Sequence, residues 1–303
     1  MFSSGLSQYW GREEHPPWSS VRRVLEGGLQ RLAGNVSERV GIGQSLLFRK
    51  LLLHLPRFSH QQLRDTALVM NEACRLAESI ASLQMDYRGW LGRKPIRELD
   101  RSRLSLKICD TEIAQAIHER FHYIGHFHEG TVHLGLYLAG DKEEAPLALA
   151  SLSPMDASFL AQNFPSPEAK RMVFQITRVY AFDCAPRNTI SFLFGRVFRW
   201  IRQHLSETST LLSYVNPNLG FSGSSYLASN WTPYQERPPI YSYLRGNYIP
   251  FRVFLSLPDW ARQSVTHAHY RMDGLQLLRY PLGDTGAITI GRHGARECRP
   301  TTA

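Results

Sequence analysis

The sequence has few cysteines, no long apolar run and no internal repeat. The four cysteines, Cys74, Cys109, Cys184 and Cys298, are scattered and form no C-x-x-C pair. This pattern indicates free thiols in a reducing compartment and excludes a disulfide framework or a zinc ribbon. The longest apolar stretches fall short of the roughly 18 residues of a membrane span, and residues 1–17 lack the apolar core of a signal peptide. We therefore expect a cytoplasmic protein that does not enter a membrane.

Acidic residues are outnumbered by basic ones, and the excess comes from arginine. The 303 residues carry a net charge of +9, with 43% hydrophobic and 20% charged residues, which is the composition of an ordinary globular protein. Between Met172 and Arg252 there are eight arginines and no lysine. Because arginine makes bidentate contacts with phosphates and bases, the charge favours DNA or another nucleic acid as a partner, although a solvated arginine-rich surface fits the charge equally well.

Hydrophobic periodicity divides the chain into a helical part and a mixed part. Residues 1–100 read as helices and form an N-terminal extension that could bind a partner or dimerise. Residues 101–260 alternate strands and helices, which predicts an α/β (α+β) domain with one central mixed sheet flanked by helices. Its last predicted strands are 241–244 and 252–255. Residues 261–303 are expected to be a C-terminal segment with a loose tail.

A histidine-rich string lies at residues 118–128. It contains the H-E-x-x-H-x-x-G-x-x-H pattern, in which His118, His122 and His128 could bind zinc on a helix while Glu119 acts as general base. The string resembles that of metzincin proteases, but helices precede it instead of a long sheet, and their Met-turn is absent. A zinc protease, a metal site with another purpose and a histidine-rich helix end all stay open.

The most informative motifs lie further along the chain. A predicted strand ends at Thr177-Arg178-Val179-Tyr180, and the loop Pro186-Arg187-Asn188 opens a helix. The backbone N–H groups at the start of a helix bind anions, so this loop could hold a pyrophosphate. The third motif is a run from Tyr214 to Trp231 that contains Asn216-Pro217, Gly220, Gly223 and Tyr226-x-Ala-x-Asn-Trp.

Together with His122-Tyr123, these segments resemble the Mom family of bacteriophage DNA-modification proteins over roughly residues 105–255. The resemblance implies a GNAT-like acyltransferase fold that uses acetyl-CoA or a related acyl-CoA. It also implies modification of an amino group, most directly N6 of adenine in DNA. One position departs from the family pattern, because Asn216 stands where the family carries Asp. An amide has neither charge nor useful basicity, so a tRNA, peptide or natural-product amine stays open as the acceptor.

The motifs and the resemblance assign site residues in three groups. The general acid for the leaving CoA thiolate is Tyr226, and His122 is a base or ligand of a possible metal, iron or zinc. Core packing is the alternative for the aromatic residues, a helix-holding role is the alternative for Asn230, and a pair with Asp183 is the alternative for Arg178. The groups are catalytic His122, Arg178, Asn216 and Tyr226; cofactor-binding Val179, Arg187, Asn188, Thr189 and Asn230; and acceptor-binding Tyr123, Tyr214 and Trp231.

Overall fold

A seven-stranded sheet forms the centre of the protein in a computed structural model that describes residues 16–91, 93–127, 132–140, 145–164 and 172–282. The strand order is β1-β2-β3-β4-β5-β10-β6. All neighbours in this sheet are antiparallel except β4 and β5, which run parallel. The predicted mixed α/β fold with one central sheet is therefore confirmed. The strands of this sheet are β1 Leu104–Ile108, β2 Val132–Leu138, β3 Ala148–Pro154, β4 Val173–Ala181, β5 Thr210–Val215, β6 Thr232–Arg237 and β10 Leu275–Pro281.

A second, three-stranded sheet has the order β8-β7-β9, with all pairs antiparallel. Its strands are β7 Ser242–Leu244, β8 Asn247–Ile249 and β9 Val265–His267. The helices of the protein are α1 Trp18–Val40, α2 Gln44–His54, α3 His60–Arg64, α4 Thr66–Gln84, α5 Arg88–Leu91, α6 Thr111–Ala116, α7 Ala157–Asn163, α8 Thr189–His204, α9 Ser224–Leu227, α10 Phe251–Ser256 and α11 Asp259–Arg262. No helix among the described residues is long and apolar enough to cross a membrane.

The large sheet is covered on both faces. Helix α8 buries one apolar stripe, Leu193, Phe194, Val197, Phe198 and Ile201, against the same core as the α6 segment. A smaller core around Met155 and Phe159 lies beneath α7. The sheet thus carries helices on either side, and the ends of its central strands stay available for a site.

The N-terminal helices do not bury their apolar faces among themselves alone. Their core also contains Leu219 from the segment after β5, together with Tyr241, Tyr243 and Tyr270 around the small sheet. Tyr243 is fully buried, and its hydroxyl donates to the carbonyl of Leu53 at 3.0 Å. Residues 18–84 and the small sheet therefore share one hydrophobic core.

Three local expectations differ from the structure. Residues 252–255 were predicted as a strand but belong to helix α10, which follows Pro250 as its N-cap residue. The sheet does not end near residue 260, because β10 lies between β5 and β6. The sequence pattern predicts a short helix over residues 224–230, but the helix ends at Leu227. Of the cysteines, Cys74, Cys109 and Cys184 are free thiols, whereas Cys298 and the loose tail lie outside the described residues.

Candidate functional site

The site begins where the two parallel strands of the large sheet separate. Strands β4 and β5 pair only from Val173 opposite Thr210 to Ile176 opposite Ser213. Beyond this point β4 continues along β3, with Thr177 as an extra residue between the pairs Leu152–Ile176 and Ser151–Arg178. Such a bulge bends a strand and changes the direction of the next side chains. The two strands therefore diverge and leave a cleft between them.

Three cavities line this cleft and share residues at their borders. The split-strand cavity, about 270 Å³, lies between the separating strands. The loop cavity, about 370 Å³, lies at the start of α8, and both contain Ile190, Ser224 and Ser225. The aromatic cavity, about 440 Å³, shares His122, Tyr123 and Val179 with the split-strand cavity. Together they can hold an elongated ligand and a second reactant that meet near His122.

The loop cavity contains the predicted anion site. Arg187, Asn188 and Thr189 line it together with the first residues of α8. Asn188 has a left-handed backbone (φ 68°), and the Thr189 hydroxyl donates to the carbonyl of Pro186 at 2.6 Å, so the loop is held against the helix. No acidic residue occupies the first turn of α8. The N–H groups and the positive end of the helix are thus left for an anion.

His122 lies in the corner that the split-strand and aromatic cavities share. Its side chain is buried, and its pKa is lowered well below the usual range by burial, with Arg178, His118 and Lys50 adding to the effect. The N–H of Ile124 donates to His122 Nδ1 at 3.3 Å. This hydrogen bond assigns the proton of the neutral ring to Nε2. The geometry therefore presents His122 as a hydrogen-bond donor and not as the base expected from the sequence.

Tyr226 lies where the strands separate. The Ser213 hydroxyl donates to the carbonyl of Ile176 at 2.9 Å and lies 3.0 Å from the Tyr226 hydroxyl. Burial is the main cause that raises the pKa of Tyr226 to about 12. The phenol therefore keeps its proton near neutral pH, as a general acid must. Its ring also packs against Phe194 and Trp231, with centroids 4.8 and 5.2 Å apart.

Arg178 and Asn216 both line the split-strand cavity but differ in their contacts. Arg178 forms no ion pair with Asp183 or with any other carboxylate among the described residues. The side-chain amide of Asn216 is hydrogen-bonded to neighbouring residues. Its Oδ1 accepts from the N–H and the amide of Asn218, each at 3.1 Å, and its Nδ2 donates to the Tyr241 hydroxyl at 2.8 Å.

The predicted acceptor residues separate into two groups. Tyr123 lies against His122 and Phe221, with ring centroids 4.3 and 5.1 Å apart, and Tyr214 lines the split-strand cavity. Trp231 is instead 2% exposed and packs in the core beside Phe198. Asn230 is exposed, has a left-handed backbone (φ 63°) and lies outside the lining of the three cavities. Trp231 and Asn230 thus occupy structural positions.

The N-terminal helices supply one wall of the aromatic cavity, which the sequence did not indicate. The opposite wall comes from the end of β4 and the loop after it. The lining residues from the N-terminal part are Gly41, Ile42, Gly43, Ser45, Leu46, Arg49, Trp90 and Leu91. None of these residues lies near a motif, so only the tertiary structure reveals their role.

The same helices hold the turn after β5. Three consecutive carbonyls of this turn each accept a hydrogen bond from the N-terminal part. Trp18 Nε1 donates to Asn218 at 3.0 Å, Arg22 Nη1 donates to Pro217 at 3.0 Å, and Arg49 Nη1 donates to Leu219. These bonds give side-chain donors to the carbonyls of a short 3₁₀ turn, of which Pro217 also accepts from the N–H of Gly220 at 2.9 Å. The segment that lines the split-strand cavity is therefore fixed from outside the sheet domain.

The H-E-x-x-H string does not form the helical face that zinc binding requires. The helix widens into a π turn at Ile117–Phe121, and the N–H of His122 donates to the carbonyl of Ile117, five residues back. His118 Nε2 lies 2.7 Å from the Ser151 hydroxyl, and Glu119 accepts from Gln115 on the outside of the turn. His128 lies outside the described residues.

A metal site is not supported in the described part of the chain. No group of three His, Cys, Asp or Glu side chains there is arranged so that it could hold a metal ion. At the family's Asp position, the Asn216 side chain is occupied by three hydrogen bonds. The expected iron or zinc therefore does not fit these residues.

The sheet and its cleft define a mixed α/β protein with a cavity between separating parallel strands. The Mom protein family matches residues 103–279, more than half of the chain, and the chain belongs to this family. No curated protein matches the sequence.

Several solved structures resemble part of the chain. Arabidopsis thaliana NAA60 in complex with acetyl-CoA is 9% identical, with a TM-score of 0.41 and coverage of 59% of this chain and 98% of its own. Spermidine N-acetyltransferase from Vibrio cholerae in complex with CoA and spermine is 7% identical, with a TM-score of 0.39 and coverage of 60% and 96%. Ribosomal-protein-S5-alanine acetyltransferase from Vibrio fischeri is 8% identical, with a TM-score of 0.39 and coverage of 63% and 98%.

Proposed function

We propose that this protein transfers an acyl group from an acyl-CoA, such as acetyl-CoA, to an amino group of a nucleic-acid base. The observation that carries the proposal is the separation of β4 from β5, which opens a cleft between the helix-start loop of Arg187 and the side chains of His122 and Tyr226. Acyl-CoA and nucleic acid both occur in the cytoplasm, which is the compartment we expect.

The loop cavity would hold the CoA pyrophosphate. Arg187 and the N–H groups at the start of α8 supply positive charge for it. From there the chain of the cofactor would follow the border residues Ile190, Ser224 and Ser225 into the split-strand cavity. Beyond the bulge, β4 has no β5 partner, so its backbone groups on that side can bind the amide groups of the cofactor.

The transfer then needs one proton to be relayed. The amino nitrogen attacks the thioester carbon, and the C–S bond breaks as the tetrahedral intermediate collapses. Tyr226 gives its proton to the leaving thiolate, and the resulting phenolate takes the proton that the attacking nitrogen loses. His122 Nε2–H can donate to the carbonyl oxygen as negative charge develops there, a role that needs the neutral ring that burial favours.

The aromatic cavity is suited to the acceptor. The amino group of a base in a duplex is held in the base pair and stack and cannot enter an enclosed active site, so the base must be extruded, at a cost of a few kcal/mol. Trp90, Tyr123, Phe182 and Phe221 line the cavity and can stack on a planar ring. The eight arginines between residues 172 and 252 add attraction for phosphates.

The proposal is tested by supplying the protein with isotopically labelled acetyl-CoA and duplex DNA, tRNA or simple amines. Nucleosides from each nucleic acid are then analysed by mass spectrometry. We expect binding of acetyl-CoA and a labelled acyl group on one nucleoside, lost in Tyr226→Phe and kept in the matched control Tyr234→Phe. Absence of acetyl-CoA binding would contradict the transferase, whereas label on an amine alone would contradict the nucleic-acid acceptor.

A further inference from the structure

The split-strand cavity has an unbalanced charge. Two guanidinium groups, those of Arg49 and Arg178, belong to its lining, and no Asp or Glu lines it. The other lining groups are neutral, since His122 is kept neutral by burial. A cavity of this kind stabilises a negatively charged ligand more than a neutral one, because desolvated charges are costly unless they are paired.

Arg178, like Arg49, is half-buried, and its Nε atom is buried. Its Nη1 donates to the carbonyl of the preceding residue, Thr177, at 2.8 Å, and its Nε has no hydrogen-bond partner. Burial is the main cause that lowers its pKa. Among the described residues, no carboxylate lies within ion-pair distance of Arg178. Most of the donors of this guanidinium are therefore not used by the protein itself.

Arg49 reaches the same cavity from the N-terminal helices. Its guanidinium lies 4.2 Å from the centre of the Phe221 ring, and its Nε also has no hydrogen-bond partner. Both arginines act electrostatically on the Tyr123 hydroxyl, so the two positive charges lie near the same tyrosine. The Phe221 contact and the bond to the Leu219 carbonyl fix the position of Arg49 without neutralising it.

We infer that the split-strand cavity binds a carboxylate carried by the acyl group, so that the preferred donor is the CoA thioester of a short dicarboxylic acid, with acetyl-CoA a weaker one. This inference rests on the proposed function. The CoA phosphates would lie in the loop cavity near Arg187, so they do not neutralise Arg178. The negative charge has to come from the end of the ligand that lies beyond the thioester, where a planar carboxylate matches the guanidinium fork.

The test is a binding titration with matched acyl-CoA esters and needs no acceptor. Malonyl-CoA carries a terminal carboxylate, whereas acetoacetyl-CoA has nearly the same shape and no charge there. Hydrogen bonds between charged groups favour the malonyl ester by roughly ten- to a hundredfold in Kd. Arg178→Gln should remove most of this preference, and Arg178→Lys should keep part of it. The exposed Arg199→Gln should leave both affinities unchanged.

Each outcome decides the matter. A preference that disappears in Arg178→Gln and weakens in Arg49→Gln supports the carboxylate site. Equal binding of the two esters, or a preference that both variants retain, overturns it while leaving the acyl-CoA site intact. Binding of neither ester and no binding of free CoA would instead contradict the proposed function. Circular dichroism of every variant shows whether it is folded, and Arg49→Gln provides a second variant if Arg178→Gln does not fold.

Discussion

The two walls of the cleft are built in different ways. The sheet wall, which lies in the family-matched residues 103–279, is held by backbone ladders of β3, β4 and β5. The helical wall, formed by residues 41–49 with Trp90 and Leu91, lies outside the match. Side chains of the N-terminal helices, Arg22 and Arg49, bond to backbone carbonyls after β5. The family motifs thus carry the candidate reacting groups, whereas a segment without motif residues shapes the cavity around them.

The largest expected effect comes from breaking the contact between the walls. Trp18 is fully buried, packs on Tyr270 and donates to the carbonyl of Asn218. Trp18→Ala should lower the free energy of unfolding by about 3–5 kcal/mol, as for other buried aromatic truncations. Denaturant titration measures this loss. Trp260, which is 70% exposed, gives the matched control, since Trp260→Ala should change stability by less than about 0.5 kcal/mol.

The next effect concerns the chemistry assigned to the sheet wall. Tyr226→Phe should lower kcat by about 10²-fold, the lower end for general acid catalysis, while the Kd for CoA stays nearly constant. The ring is retained, so its packing on Phe194 and Trp231 should survive. Steady-state kinetics and a CoA titration measure the two quantities. Unchanged turnover in a folded variant would show that this tyrosine is structural.

Two buried histidines should make the stability of the protein depend on pH. His54 lies in the N-terminal helices, and His122 lies at the cleft. Burial is the main cause that lowers the pKa of His54 to about 3 and the pKa of His122 well below its usual range. In the unfolded chain both rings bind a proton with a pKa near 6.5. The free energy of unfolding therefore decreases as the pH falls below that value. Each histidine should contribute a loss of about 1.4 kcal/mol per pH unit.

Urea titrations between pH 7 and 5 measure this dependence. His54→Gln should reduce the slope by the share of one histidine, while the second share, from His122, remains. A slope that does not change in His54→Gln would show that His54 is protonated in the folded protein. The kinetic profile of the wild type should likewise show no limb near pH 6.5 from His122.

A smaller effect tests how the helical wall fixes the turn after β5. Arg22 Nη1 donates to the carbonyl of Pro217 and lies outside the cavity linings. Arg22→Gln should lower kcat by roughly tenfold, the equivalent of about one hydrogen bond from a charged group, with little change in CoA affinity. The exposed Arg31→Gln is the control. Equal kinetics of both variants would mean that the turn keeps its position without this bond.

The smallest expected effect is that of Glu119→Gln. The carboxylate of Glu119 accepts from Gln115 at 2.9 Å and does not line any of the three cavities. Activity should therefore stay within about twofold of the wild type, since general base catalysis is worth at least 10²-fold. A loss of that size, with zinc bound stoichiometrically, would support the metalloprotease instead.

Much of the sheet wall could be predicted from the sequence because its signals are local. The alternation before Arg178 and the loop at Arg187 before an amphipathic helix identify β4, the candidate anion-binding loop and α8. No local signal of this kind indicates the position of strand β10, since it pairs between β5 and β6 from a distant part of the chain. Residues 252–255 contain β-formers, yet Pro250 starts a helix there.

The helical wall could not be predicted because its role depends on tertiary contacts. Nothing around Arg49 distinguishes it from other arginines of an amphipathic helix, and only folding brings it to Phe221 and Leu219. The reverse holds for the histidine string. Its spacing assumes 3.6 residues per turn, and the π turn at Ile117–Phe121 changes that period.

Amide hydrogen exchange with and without CoA tests directly whether CoA binds in the cleft between β4 and β5. CoA should slow exchange in residues 177–191 and 222–226, because these segments line the cavities at the separated strands and at the start of α8. The exposed helices α10 and α11 should exchange at unchanged rates. Binding of CoA without slower exchange in residues 177–191 would contradict the account, because the ligand would then lie outside the cleft between β4 and β5.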